Sequence, residues 1–151
     1  MRKEVDRSAM IRLFEEIRDA FPRLSMRLDH DPPNVDVNMD IPQQPGLAFE
    51  VNLNLQGDEL HLNAGAFWLE WFPCTRPDVV EAYREAVHGL LSGGYRIREL
   101  YRGGRPIKAE LQKPNAASWQ TIGTWHGWAW PFPRRTFERV LQNVPHTRSP
   151  S

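Results

Sequence analysis

The chain has 151 residues, of which 40% are hydrophobic, 25% charged and 11% aromatic, and its 19 basic and 19 acidic side chains give a formal net charge of zero. That length suits one domain with an ordinary core, and the composition excludes a fibrous or intrinsically disordered chain. A single cysteine, Cys74, excludes a disulfide-stapled scaffold and favours a reducing cytoplasm, while the charged residues 2–7 offer no secretory leader. The longest apolar run, residues 64–69, is far below the roughly 20 residues that span a bilayer, so no membrane segment is expected.

Met10, Leu13, Phe14, Ile17 and Phe21 recur at helical spacing, which predicts an amphipathic helix over residues 5–20 that Pro22 ends. The period then changes to two. Leu24, Met26 and Leu28 alternate with polar residues, as do Val35, Val37, Met39 and Ile41. After a Pro- and Gly-rich turn at 42–46 the alternation resumes with Leu47, Phe49, Val51, Leu53 and Leu55. Gly57-Asp58 predicts a hairpin onto residues 60–63, and a short apolar segment at 66–72 carries Trp68 and Trp71.

Thr75 as a cap, Pro77 in the first turn and Asp78 beyond it predict a second helix. Its buried stripe is Val79, Val80, Tyr83, Ala86, Val87, Leu90 and Leu91, and Gly93-Gly94 ends it. Residues 95–101 and 106–112 predict a hairpin around Gly103-Gly104, and 119–125 a last strand. Phe137, Val140, Leu141 and Val144 predict a short closing helix. The whole reads as a single α+β domain over residues 1–145 with a flexible tail at 146–151. Its mostly antiparallel sheet, a meander plus a hairpin, carries an N-terminal, a central and a C-terminal helix on one face.

Catalytic motifs are missing. The sequence holds no nucleophile elbow, phosphate loop, dinucleotide fingerprint or metal-binding His/Cys spacing, so it calls for no catalytic residue, metal ion or cofactor. His30 lies between Asp29 and Asp31, and His61 near Glu59, but Asp-His-Asp-Pro-Pro is the composition of a solvated turn. Cys74 reads as a buried thiol rather than a nucleophile.

The zero net charge hides a strong asymmetry. Residues 28–75 hold eight acids and no Lys or Arg, whereas residues 94–151 hold ten basic side chains and three acids. Within the acidic stretch Asp36, Asn38, Asp40, Glu50, Asn52, Asn54, Glu59, His61 and Asn63 fall opposite the apolar alternation. Asp and Asn are poor strand formers, so sheet stability alone does not account for them. Unless the basic strands at 95–112 lie beside this face and neutralise it, it predicts capture of a basic protein partner by a non-catalytic binding module of the inhibitor or immunity type. On this reading alanine costs about 2–5 kcal/mol at Val51, Leu53 or Leu62 and is nearly silent at Asn52 or Asn54.

Trp119, Trp125, Trp128, Trp130 and Phe132, with His126 among them, form an aromatic cluster that either plugs the sheet or anchors a partner. An alternative function is a small-molecule-binding domain or small enzyme. Its pocket would lie between sheet and helices, lined by Trp68, Trp71, Trp125 and His126 and polarised by His61 or Glu70. A second alternative is single-stranded nucleic-acid binding by these rings with Tyr95, Arg96, Arg98, Tyr101, Arg102, Arg105 and Lys108, against which the neutral overall charge stands. An unpaired edge strand leaves a homodimer open.

Overall fold

The structure, a computed structural model, describes residues 3–128 and 135–144. Trp130, Phe132 and the tail expected at 146–151 lie outside the described residues. In chain order the elements are α1 (Arg7–Ala20), β1 (Arg27–Asp29), β2 (Val37–Ile41), β3 (Val51–Gln56), β4 (Glu59–Ala64) and β5 (Phe67–Trp71), then α2 (Pro77–Ser92), β6 (Arg96–Arg102), β7 (Arg105–Asn115), β8 (Ser118–His126) and β9 (Thr136–Leu141).

Local chemistry sets most of these boundaries. The Asp6 side chain caps α1 by accepting from the Ala9 amide at 3.0 Å. The cap expected of Thr75 is not used. Arg76 occupies the N-cap position of α2 without a side-chain cap, and its guanidinium instead grips Asp78 at 2.8 and 3.1 Å. Gly93 closes α2 in the left-handed conformation, with φ +84°. Gly103 and Gly104 both have positive φ, which two-residue hairpin turns of the right twist require, and they join β6 to β7 as expected.

The strands form two antiparallel sheets instead of one, in the orders β1-β2-β3-β4-β5 and β8-β7-β6-β9. The described residues hold two helices, and the third one expected is a correction. Residues 136–141 are strand β9, paired along β6 from Ile97–Leu141 to Arg102–Thr136. Of the four apolar residues at helical spacing only Leu141 is buried, whereas Phe137, Val140 and Val144 are 53%, 45% and 74% exposed. A lone helix there would bury little, while pairing satisfies the free edge of β6 over six residue pairs.

One face of the first sheet builds the core. Val37, Met39 and Ile41 stand opposite Leu55, Leu53 and Val51, and Leu53 and Leu55 stand opposite Leu62 and Leu60, all of them buried. Both helices cover this face. Tyr83 meets Phe14 edge-on at 6.5 Å and Trp71 at 5.4 Å, and its hydroxyl donates to the His61 carbonyl at 2.8 Å. The second sheet adds Ile97, Ala109, Leu111 and Leu141. It approaches at Gly123, where a Cβ would stand 2.5 Å from a Leu69 methyl, so a larger residue there would push the Leu69 side chain aside. The opposite face of the first sheet is left open: among the described residues no helix or strand packs on it.

Candidate functional site

Two rows of polar side chains cross the open face. By strand register one row runs Arg27, Asp40, Asn52, Asn63, Trp68, and the next runs Asp29, Asn38, Asn54, His61, Glu70. Both follow from period-two alternation, since residues two apart share a face and residues opposite each other across strands share it too.

The asparagines are linked in one direction. Gln56 Nε2 donates to Asn54 Oδ1 at 2.9 Å, and Asn54 Nδ2 to Asn52 Oδ1 at 2.8 Å. Asn52 Nδ2 donates to Asn38 Oδ1 at 2.8 Å and Asp40 Oδ1 at 2.7 Å, and Asn38 Nδ2 to Asp40 Oδ2 at 3.2 Å. An amide both donates and accepts, so it can pass a hydrogen bond onward. An ionised carboxylate only accepts, so the chain ends at Asp40. This explains why these strand positions tolerate asparagine. It also argues against the expectation that alanine is nearly silent at Asn52 or Asn54, since Asn54 is 6% exposed and both amides are bonded on two sides.

His61 points to the open face yet is 3% exposed, because the Trp68 indole lies over it with ring centroids 5.5 Å apart and an interplanar angle of 28°. The indole Nε1 donates to His61 Nδ1 at 2.8 Å. With Nδ1 accepting, the neutral ring carries its proton on Nε2, which is buried without a hydrogen-bond partner and lies 3.5 Å from Glu59 Oε2. Trp68 itself is 43% exposed.

Among the described residues no Lys or Arg nitrogen lies within 4 Å of Asp29, Asp36, Asp40, Glu50, Glu59 or Glu70. Arg27 enters from the edge strand opposite Asp40 without forming an ion pair with it. Asp36 accepts from the Gly57 amide at 2.6 Å and so ties down the β3–β4 turn. Exposed Glu50 stands with Arg27, Asp40, Asn52, Asn63 and Gly65 around a cleft of about 320 Å³ at one end of the rows.

The second sheet disposes of its charges differently. Glu110 accepts from the Thr121 hydroxyl at 2.6 Å and stands 3.2 Å from Lys108 and 3.7 Å from Arg98, which also pairs with Glu138. Burial pushes the Glu110 carboxyl up, but the Thr121 hydroxyl and the two cations outweigh it and hold it below the usual carboxylate range. Glu99, 1% exposed, accepts from the Ala66 amide at 2.6 Å and the Tyr101 hydroxyl at 3.2 Å, with Arg139 at 3.9 Å. Burial first, and then the Glu99 charge, pushes the Tyr101 phenol up. Arg96 stacks over Trp119 at 4.2 Å and donates to Gln112 at 2.8 Å. The basic strands therefore lie outside the acidic sheet and meet their carboxylates within their own.

No protein-family model, curated protein or solved structure matches this chain.

The expected aromatic pocket does not assemble. Trp68 and Trp71 are an odd number of residues apart on β5, so Trp68 faces the open side while Trp71 packs in the core on Tyr83. Trp125 is partly buried in the second sheet, against the backbone of Gly127. His126 is exposed opposite Lys108, and Arg105 sits 5.9 Å above the exposed ring of Trp128. Cys74 is buried, and burial followed by the Asp58 charge raises its thiol, the reverse of what a nucleophile needs. At 29–31 the Asp29 carboxylate accepts from the Asp31 amide at 3.0 Å, the bond of an Asx turn. No group of three or more His, Cys, Asp or Glu among the described residues could hold a metal ion, and no helix among them is long and apolar enough to cross a membrane.

Three residues of the open face escaped the sequence-based selection of that face. Trp68 and Glu70 were visible in principle, because the parity of Phe67, Leu69 and Trp71 places them on the polar side. Arg27 was not, because its place opposite Asp40 depends on the pairing of the three-residue strand β1.

Proposed function

We propose that the protein is a non-catalytic binding module of the inhibitor or immunity type, which captures a basic protein partner in the cytoplasm through the open face of the first sheet. One observation carries this reading: among the described residues the carboxylates of that face have no Lys or Arg partner, whereas Glu99, Glu110 and Glu138 in the second sheet are all matched by Arg or Lys. Unmatched like charges on one surface repel one another and add nothing to sheet stability, but they generate the predominantly negative potential that steers a cationic partner, raising on-rates by roughly 10- to 1000-fold at low salt. The amide chain ending on Asp40 holds part of that charge in place before binding. The small-molecule reading has less to stand on, since the tryptophans assigned to its pocket sit on opposite faces of β5.

The test compares the wild-type chain with the triple charge reversal Asp40→Lys, Glu50→Lys, Glu70→Lys as bait in native lysate. A basic protein retained in stoichiometric amount by the wild type, released by salt and not retained by the triple variant supports the reading. Retention that ignores salt or survives the triple reversal overturns it.

A further inference from the structure

Three exposed or half-exposed tryptophans in the described residues offer a ring face to solvent or to a cation. On the second sheet Arg96 covers Trp119 at 4.2 Å and Arg105 lies over Trp128 at 5.9 Å. On the first sheet His61 supports Trp68 from beneath, and among the described residues no Arg or Lys lies over its outer face. The indole is 43% exposed and fixed by the 2.8 Å bond to His61 Nδ1, so it is presented as a rigid plate. Acids stand beside it. Glu70 is two residues along the same face, directly opposite His61, and Glu59 lies 3.5 Å from the buried, unpartnered His61 Nε2.

We propose that Trp68 is the anchor for an arginine side chain of the basic partner, whose guanidinium stacks on the outer indole face and pairs at its edge with Glu70 and Glu59. This rests on the reading of the open face as the partner-binding surface and adds to it a residue and a selectivity. The chemistry prefers arginine to lysine, because a guanidinium is planar, weakly hydrated and able to stack and bridge a carboxylate at once, whereas an ammonium is a compact hydrated point charge. His61 acts as a positioning residue. Its Nδ1 and ring face hold the indole within 28° of the imidazole plane, so little side-chain freedom remains to be lost when the cation arrives.

The experiment titrates the full chain with an oligo-arginine and an oligo-lysine peptide of equal length, reading the dissociation constant by calorimetry and the Trp68 indole N–H signal by NMR. The arginine peptide is expected to bind more tightly and to shift the Trp68 indole signal. Trp68→Ala is expected to weaken the arginine peptide by roughly 2- to 30-fold while leaving the lysine peptide nearly unchanged. Trp68→Phe, which keeps a ring, is expected to retain part of the preference and guards against loss through misfolding, as does an unchanged thermal melt. Equal binding of both peptides, or a preference that Trp68→Ala leaves intact, overturns the anchor while the acidic-face reading stands. Peptide binding that persists in the combined Asp40→Asn, Glu59→Gln, Glu70→Gln variant, or no binding at low salt, overturns both.

Discussion

On the outer face of the second sheet Glu110 is surrounded by Lys108, Arg98 and Thr121, whereas on the open face of the first sheet Glu70 has no cation within 4 Å among the described residues. Both belong to antiparallel sheets of the same chain, and the chain as a whole is neutral. The difference teaches that net charge says nothing about where charge is satisfied. In the second sheet carboxylates and cations alternate across neighbouring strands and become part of the structure. In the first the amides bond to one another and end on Asp40, and among the described residues no Lys or Arg pairs with the carboxylates. Sheet stability favours carboxylates paired across strands with cations; a face whose acids stand unpaired around a single edge arginine, Arg27, suits the oppositely charged partner of the proposed function.

Several substitutions would break or sharpen that contrast. The largest effect belongs to the covered side of the first sheet: Leu53→Ala is expected to cost about 2–5 kcal/mol in denaturant unfolding, and a cost under about 1 kcal/mol would mean the two faces are exchanged. Next comes a matched carboxylate. Glu99→Ala removes the acceptor of the Ala66 amide and the Tyr101 hydroxyl and should cost about 1.5–3 kcal/mol. Asn52→Ala interrupts the amide chain at its branching point and should cost about 1–2 kcal/mol, whereas an unchanged midpoint would show that the chain is ornamental to stability.

Unmatched carboxylates should behave in the opposite way. Glu70→Gln is expected to leave stability within about 0.5 kcal/mol of wild type, or slightly above it as like-charge repulsion falls, while lowering affinity for the basic partner. The smallest expected effect is a response to acid. Because the folded Glu110 carboxyl lies below its unfolded value of about 4.3, its contribution is present above that pH and lost as pH falls through the lower folded value. Protection of the β7 amides against hydrogen exchange, relative to the intrinsic rate at each pH, should therefore fall in acid before that of β3, and Glu110→Gln should remove the difference.

Much of the architecture was legible because it depends on neighbours in sequence. The stripe Met10, Leu13, Phe14, Ile17 set α1, and the alternation of Val51, Leu53 and Leu55 with Asn52 and Asn54 set which side of β3 is buried. At the site the acidic face was legible by the same parity, and so was Gly103-Gly104 as a turn. The environment on that face was not. His61 reads as exposed from its parity, yet a tryptophan seven residues on, from the next strand, lies over it. Asn54 reads as idle until Gln56 and Asn52 are seen on either side.

The sequence by itself determined the segregation of charge, the α+β class, both helices and the two faces of the meander, since periodicity and composition act through residues close along the chain. Tertiary structure alone decided that the strands divide into two sheets, so that the basic strands satisfy their own acids and leave those of the first sheet unmatched. It also turned residues 136–141 from an apparent helical stripe into the strand that closes the β6 edge. Those outcomes depend on which backbone edges and charges meet across long sequence separations, and a period of two or of 3.6 residues carries no record of the partner a strand will find.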